Sequence, residues 1–200
     1  MIYNEENGIE YLDAFVIRIL RVRLELDIDS LIEFCYEMKR KDGIGVEVSN
    51  VGGWQSGDIF KETHTEFVKL KHTIEECANI FHHDMQFKNT HSQKIDNIWA
   101  NINQKGHSNE WHVHPKSSFS GAFYLKGSSP IVFKHPYPDI TLYYWDKPFI
   151  EEWNGFNSGE SSLEPSPNTL IIFPPWLSHK VLMNKEDTDR ITFSFNTSFV

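Results

Sequence analysis

The chain has few cysteines, few basic residues and no long apolar run, and each of these features excludes a class of protein. Its two cysteines, Cys35 and Cys77, lack the C-x-x-C spacing of zinc and redox sites, so we expect buried free thiols. No segment approaches about 18 consecutive apolar residues, and no basic start precedes an apolar run. We therefore expect neither a membrane span nor a signal peptide. We also expect a cytoplasmic location.

The shortage of basic residues limits the choice of partners. Lys and Arg number 19 against 28 Asp and Glu, which gives a formal net charge of −9 with His neutral. Non-specific binding to nucleic acid requires dense positive charge on one surface. We therefore expect no strong non-specific nucleic-acid binding, whereas a single nucleotide bound locally stays compatible with the composition.

The residues that are present indicate one folded domain, 1–200. A hydrophobic content of 40% and 15 Phe in 200 residues are typical of a single domain with a substantial core. Apolar periodicity and turn residues divide its first half into a few elements. These are a strand (14–28), a helix capped by Asp29 or Ser30 and ended by Asp42-Gly43, a Gly-rich loop (50–57) and a second helix (63–83).

The second half has the texture of a β-protein. Short apolar segments alternate with turns that contain Gly and Pro, and residues 146–167 form a long predicted loop. Two helices followed by many short strands predict an α+β chain, mainly β, whose core is a β-sandwich or jelly roll. The predicted strands are 94–103, 110–114, 119–126, 130–134, 140–145, 168–173, 179–183 and 190–199.

Two histidines two residues apart are the first candidates for chemistry. His112 and His114 lie in strand-like sequence, where side chains two apart project from the same face. Two neutral imidazoles on one face can hold adjacent positions around a divalent metal. The pair alone is weak evidence because the chain has ten histidines, and His82-His83, on a predicted helix, is interpreted as a surface pair.

His179 is the candidate for a third ligand. It follows His114 by 65 residues and comes after an apolar strand that Pro174 and Pro175 interrupt. Proline cannot continue a central β-ladder, so the chain must bend there, and a polar residue past the bend can face the interior. The alternative is a lone core histidine bonded to the backbone, which the pair at 112 and 114 makes less favoured.

Arg190 opens a strand with one polar face. A polar face on a central strand needs a polar partner, and an Arg with a Thr two residues on suits a carboxylate. The alternative is an ordinary ion pair of Arg190 with Asp187 or Asp189 at the strand entrance. The polar face consists of Arg190, Thr192, Ser194 and Asn196, opposite Ile191, Phe193 and Phe195.

Five stretches, in this order and spacing, resemble a family of 2-oxoglutarate- and Fe(II)-dependent oxygenases found in marine bacteria and phages. Their sequences are NIWANIN (97–103), NEWHVHP (109–115), SGAFYL (120–125), FPPWLSH (173–179) and RITFSFN (190–196). The Gly-rich segment 50–56 resembles the family more weakly. The resemblance implies a double-stranded β-helix, a cupin-like barrel formed by 91–200 and supported from outside by the strand and helices of 1–90.

The resemblance also implies roles for individual residues. The wider superfamily uses His-x-Asp or His-x-Glu, a distal His and an Arg for the far carboxylate of the oxo-acid, which correspond to His112, His179 and Arg190. This chain departs from the pattern at His114. Either His114 is a ligand, as in some cupin-type dioxygenases with three His, or it lies nearby and a water or another acid fills the position. Further expected contacts to the co-substrate are Thr192, Tyr124 and Asn103.

The implied function is a 2-oxoglutarate- and Fe(II)-dependent dioxygenase, in the host cytoplasm if phage-encoded. It would use O₂ to hydroxylate an unidentified small molecule, peptide or nucleotide and would release succinate and CO₂, with loops 50–60 and 146–167 contacting this substrate. One alternative is a cupin-like three-His metalloprotein or dioxygenase that does not use 2-oxoglutarate. Another is a non-enzymatic β-sandwich that binds a partner through Trp54, Trp145 and Trp153. A homodimer is compatible with the sequence.

Overall fold

A computed structural model gives the structure of residues 2–4, 9–11, 13–137 and 147–200. The predicted strand 140–145 lies outside these residues. The two helices are α1 (Ile28–Lys41) and α2 (Thr65–Asp84), and a short 3-10 turn spans Lys147–Phe149. The strands are β1 (Ile2–Asn4), β2 (Ile9–Tyr11), β3 (Leu20–Arg23), β4 (Asn50–Val51), β5 (Trp54–Gln55), β6 (Gln93–Asn103), β7 (Ser108–His112), β8 (Phe119–Lys126), β9 (Ile131–Lys134), β10 (Glu160–Leu163), β11 (Thr169–Phe173), β12 (His179–Val181) and β13 (Arg190–Phe199).

Two antiparallel sheets face each other around a small inner core. The major sheet has the order β3-β11-β8-β13-β6-β5, and the minor sheet has the order β10-β9-β12-β7-β4. Side chains of both sheets meet between them, including Tyr124 and Phe173 from the major sheet and Ile131 and Phe133 from the minor sheet. This arrangement is the double-stranded β-helix, and it confirms the predicted mainly β class.

The two helices cover the outer face of the major sheet. Asp27 caps α1 by accepting a hydrogen bond from the Ser30 amide at 3.1 Å. The cap therefore lies two residues before Asp29, the first of the two predicted caps. The Phe193 ring, on the outer face of β13, packs 5.1 Å from Phe67 of α2 and 6.4 Å from Phe34 of α1. Neither described helix is long and apolar enough to cross a membrane.

Several predicted boundaries differ from those of the structure. The strand predicted over 14–28 forms only at 20–23, because its antiparallel partner β11 is short. Strand β11 ends at Phe173, before Pro174-Pro175, which stops the pairing ahead of Leu20, and it begins at Thr169, opposite Arg23, which stops the pairing after Arg23. Strand β7 ends at His112, so His114 lies just beyond it, whereas β10 occupies part of the predicted loop 146–167. Both cysteines are buried and unpaired, as predicted.

Two glycines join the sheets on one side of the barrel. Strand β4 belongs to the minor sheet and β5 to the major sheet, and only Gly52 and Gly53 separate them. Both have left-handed backbones, with φ of 63° and 70°. A Cβ at Gly53 would lie 3.3 Å from the Ile102 carbonyl oxygen, so both conformation and space favour glycine there.

We expect Gly53→Ala to lower the free energy of unfolding by about 1–2 kcal/mol, because alanine must adopt a left-handed backbone against β6. Denaturant unfolding measures this difference. The matched control is Gly57→Ala, where an added Cβ meets no atom within 4 Å and which should leave stability nearly unchanged. Equal stability of the two variants would contradict the role assigned to the Gly-Gly link.

Candidate metal centre

Three imidazoles converge at one end of the barrel. His112, at the end of β7, is the cross-strand partner of His179, at the start of β12, and their ring centroids are 4.2 Å apart. The His114 amide donates to the Pro175 carbonyl at 2.9 Å, and its ring lies 5.1 Å from each of the other two. One nitrogen from each ring lies within 4.8 Å of the others, so the predicted trio is brought together.

Backbone carbonyls orient two of the rings. The Nδ1 of His112 lies 2.7 Å from the Glu110 carbonyl oxygen, and the Nδ1 of His179 lies 2.9 Å from that of Leu177. A carbonyl oxygen only accepts hydrogen bonds, so each Nδ1 carries the proton and donates it. The Nε2 of both rings therefore keeps its lone pair, which is the form that binds a metal.

The spacing of the nitrogens suits one ion. The Nε2 atoms of His114 and His179 are 3.3 Å apart. Two ligand nitrogens at about 2.1 Å from one metal, at octahedral or tetrahedral angles, lie about 3.0–3.4 Å apart. The pair therefore fits a shared divalent metal without rearrangement. In the described part of the chain no carboxylate joins the cluster, which favours the three-His alternative.

Burial keeps the cluster uncharged. It lowers the pKa of His112, and burial together with the neighbouring imidazoles lowers the pKa of His114 to about 4 and that of His179 to about 3. The Phe173 ring lies edge-on 4.7 Å from His179, and Trp99 lies 5.9 Å from His114. Metal ligation requires neutral imidazole, so the site is prepared for a cation at neutral pH.

Arg190 lies inside the barrel without an acidic partner among the described residues. Only 3% of it is exposed, and its Nε has no hydrogen-bond partner there. The alternative ion pair is wrong, because Asp187 pairs with Lys105 at 2.7 Å and Asp189 accepts a hydrogen bond from Tyr36 at 2.8 Å. A buried guanidinium without a counter-charge is costly, so its surroundings suit a bound anion.

Tyr124 and Thr192 accompany the guanidinium. The Tyr124 ring centroid lies 5.3 Å from the Arg190 Cζ, and its buried hydroxyl has no hydrogen-bond partner among the described residues. Burial raises the pKa of Tyr124, while the charge of Arg190 opposes the rise. Thr192 Oγ1 accepts from Arg190 Nη1 and from Asn101 Nδ2, both at 3.4 Å. Both hydroxyls are therefore neutral donors beside a positive charge.

One cavity of about 40 Å³ connects the histidines with Arg190. The other predicted contacts, Asn103, Tyr124 and Thr192, are not part of its wall. Asn103 donates to Asn109 Oδ1 at 3.3 Å, and Tyr124 and Thr192 contact Arg190 instead. Gln55, Trp99 and Asn109 are among the wall residues to which the sequence assigned no individual role. The period-two alternation of β6 could have indicated Trp99, whereas Gln55 lies in a two-residue strand that gives no periodic signal.

The metal-free protein should lose stability as the pH falls from about 6.5 towards about 4. An imidazole whose pKa is lower in the folded than in the unfolded protein takes up its proton on unfolding, so acid favours the unfolded state. Thermal unfolding at pH 7.5 and pH 5 measures the loss. His179→Asn keeps a donor for the Leu177 carbonyl and should show a smaller loss; the control, His83→Asn, changes an exposed side chain of α2. Identical pH dependence in the wild type and His179→Asn would contradict the assignment.

Comparisons with known proteins agree with the fold and the site. The model of the family described as "Putative 2OG-Fe(II) oxygenase" matches residues 97–196, which include the three histidines and Arg190. No curated protein matches the chain significantly. The marine or phage origin and the cytoplasmic location stay predictions.

Solved structures show the same fold at low identity. The chain is similar to a prolyl-4-hydroxylase of Pseudomonas putida, at 12% identity and a TM-score of 0.61, over 90% of this chain and 92% of that chain. It is also similar to the viral collagen prolyl hydroxylase of Paramecium Bursaria Chlorella virus-1, in complex with 2OG, at 14% identity and a TM-score of 0.59, over 90% of this chain and 94% of that chain. A third similar structure is HygX of Streptomyces hygroscopicus, with nickel and 2-oxoglutarate bound, at 9% identity and a TM-score of 0.59, over 91% of this chain and 83% of that chain.

The family match is the decisive comparison. It spans half of the chain and covers both ends of the cavity, from Trp99 and the histidines to Arg190. The structural likenesses support the barrel that carries these residues. The chain therefore belongs to the 2OG-Fe(II) oxygenase family, oxidoreductases that use Fe(II) and 2-oxoglutarate.

Proposed function

We propose that the protein is a dioxygenase that uses O₂ to convert 2-oxoglutarate to succinate and CO₂ and to hydroxylate a second substrate, with one oxygen atom entering succinate and the other the hydroxylated product. His112, His114 and His179 hold Fe(II), and Arg190 binds the far carboxylate of the oxo-acid. The observation that carries the proposal is one cavity with three neutral imidazoles at one end and, at the other, a guanidinium with no acidic partner among the described residues. When bound, Fe(II) and the oxo-acid would activate O₂, which is the oxidant.

The end of the cavity at Arg190, which we call the deep end, suits a carboxylate. The free hydrogen-bonding groups around Arg190 are donors: within the described ranges Arg190 Nε and the Tyr124 hydroxyl donate to no group, and Thr192 Oγ1 already accepts two hydrogen bonds. Tyr124 and Thr192 contact Arg190 but are not part of the cavity wall, so they reach a carboxylate only if the wall moves. Charge-assisted bonds from a guanidinium and two hydroxyls to one carboxylate are strong in a buried setting. These residues bind and orient the oxo-acid, and they need no proton transfer to do so.

The other wall residues orient ligands and exclude water. The Glu110 and Leu177 carbonyls hold the His112 and His179 rings with Nε2 towards the cavity. Phe173 and Trp99 pack beside the cluster and keep it largely dry. A cavity of about 40 Å³ holds little more than a few waters, so wall side chains must move outward to admit a five-carbon diacid.

A cupin-like metalloprotein that does not use 2-oxoglutarate is the second candidate. The three imidazoles without a carboxylate favour it, since this ligand set departs from the usual two-His-one-carboxylate face. It would leave the buried charge of Arg190 without a ligand. The two candidates agree on the metal and differ only in the role of Arg190.

We expect the wild-type protein to bind one Fe(II) or Mn(II) per chain, and His112→Ala, His114→Ala and His179→Ala to reduce affinity at least about tenfold each, because each removes one of three ligands. Equilibrium dialysis with metal analysis measures this. The matched control is His83→Ala, an exposed histidine of α2. Wild-type affinity in His114→Ala alone would show that His114 is not a ligand.

Arg190→Met should weaken 2-oxoglutarate binding at least about thirtyfold, because a buried, hydrogen-bonded charge pair is lost. Metal affinity should stay unchanged, since Arg190 lies away from the imidazoles. Calorimetric titration of Mn(II)-loaded protein and succinate release by Fe(II)-loaded protein measure the two effects. The cupin-like alternative would be favoured if Arg190→Met bound 2-oxoglutarate as well as the wild type does. It would also be favoured if the wild type bound no 2-oxoglutarate.

A further inference from the structure

Gln55 is a buried polar residue of the cavity wall whose side chain bonds to no described residue. Only 8% of it is exposed, and it lines the same cavity as Arg190 and the histidines. Its neighbours on this wall differ, because Asn109 donates to Ser49 Oγ at 3.2 Å and Asn101 donates to Ser194 Oγ at 3.0 Å. The Gln55 amide therefore faces the cavity with its hydrogen-bonding groups free for water or for a ligand.

The backbone around Gln55 is held tightly. Its carbonyl accepts a hydrogen bond from the Val46 amide at 2.9 Å, and the Trp54 Nε1 donates to the Asp42 carbonyl at 2.6 Å. Gly45 has a left-handed backbone (φ 65°), and a Cβ there would lie 2.3 Å from the backbone carbonyl oxygen of Gln55. These contacts hold the backbone of β5 in place, and with it the face of the strand from which the Gln55 side chain projects.

Strand register places Gln55 near the deep end of the cavity. Gln55 pairs with Asn101, and Asn101 pairs with Thr192, so the three share one row on the inner face of the major sheet. Thr192 follows Arg190 by two residues on the same face of β13. Trp99, which contacts His114, lies one inner-face position further towards the histidines. Gln55 is thus on the level of the anion-binding groups.

We infer that Gln55 donates a hydrogen bond from its side-chain amide to a carboxylate of the bound oxo-acid and contributes to selectivity for an anionic co-substrate. This inference rests on the proposed function. An amide donor is favourable beside an anion that Arg190 binds, whereas a carboxylate in the same place would repel that anion. Gln55 therefore belongs to co-substrate recognition, although the loop that carries it was expected to contact the second substrate.

The test is calorimetric titration of 2-oxoglutarate into Mn(II)-loaded protein without oxygen. Gln55→Leu should weaken binding about tenfold, because a hydrogen bond to a charged group is lost. Gln55→Glu, of almost equal size, should weaken it more, because it adds a like charge. In Gln55→Leu, Mn(II) affinity and the thermal midpoint should match those of the wild type, which separates recognition from a structural role. This comparison uses Gln55→Leu alone, because a buried carboxylate at position 55 changes stability through its own charge. Gln104→Leu and Gln104→Glu, at an exposed position, are the controls.

The outcomes separate the two proposals. If the wild type binds 2-oxoglutarate and the Gln55 variants bind it equally well, the inference is wrong while the proposed function stands. Loss of binding in Gln55→Leu that accompanies lost metal affinity or lower thermal stability would also overturn it, because the role would then be structural. If the wild type binds metal but no 2-oxoglutarate, both proposals fall.

Discussion

The antiparallel pairing of β6 and β13 determines which side chains face the barrel interior. Its register sets Arg190 opposite Asn103, Thr192 opposite Asn101 and Phe193 opposite Ala100. Phe193 and its outer-face neighbours pack under the helices, so the polar alternate residues must point inward. A slip of one residue would exchange the two faces and bury the guanidinium under α1 and α2. The helix core and the cavity therefore depend on one register.

The cavity is electrostatically divided. Its metal end consists of imidazoles that burial keeps neutral, and its deep end carries the charge of Arg190. Without a carboxylate in the described cluster, a divalent cation and the guanidinium together leave the site strongly positive. A dianionic oxo-acid that spans both ends balances this charge more completely than a monoanion. The proposed ligation by His114 in place of the usual carboxylate thus predicts a stronger preference for an anionic co-substrate.

Local periodicity predicted much of this structure. The apolar and polar alternation of 190–199 gave β13 with its true bounds, and the His-x-His pair with a distant His179 gave the cluster. Local periodicity could not predict strand boundaries that depend on distant residues. Strand β7, for example, ends at His112, and the His114 amide bonds to the distant Pro175 carbonyl. Gln55 was missed because a two-residue strand has no period, and its inward direction results from pairing with β6.

The proposed site requires that one ion lies between three imidazoles and that the oxo-acid extends from this ion to Arg190. A crystal structure of the protein with Mn(II) and 2-oxoglutarate, grown without oxygen, is the decisive measurement. We expect a single anomalous peak within bonding distance of one nitrogen each of His112, His114 and His179, and the far carboxylate on Arg190. An ion bound elsewhere, or a ring turned away from the peak, would contradict it.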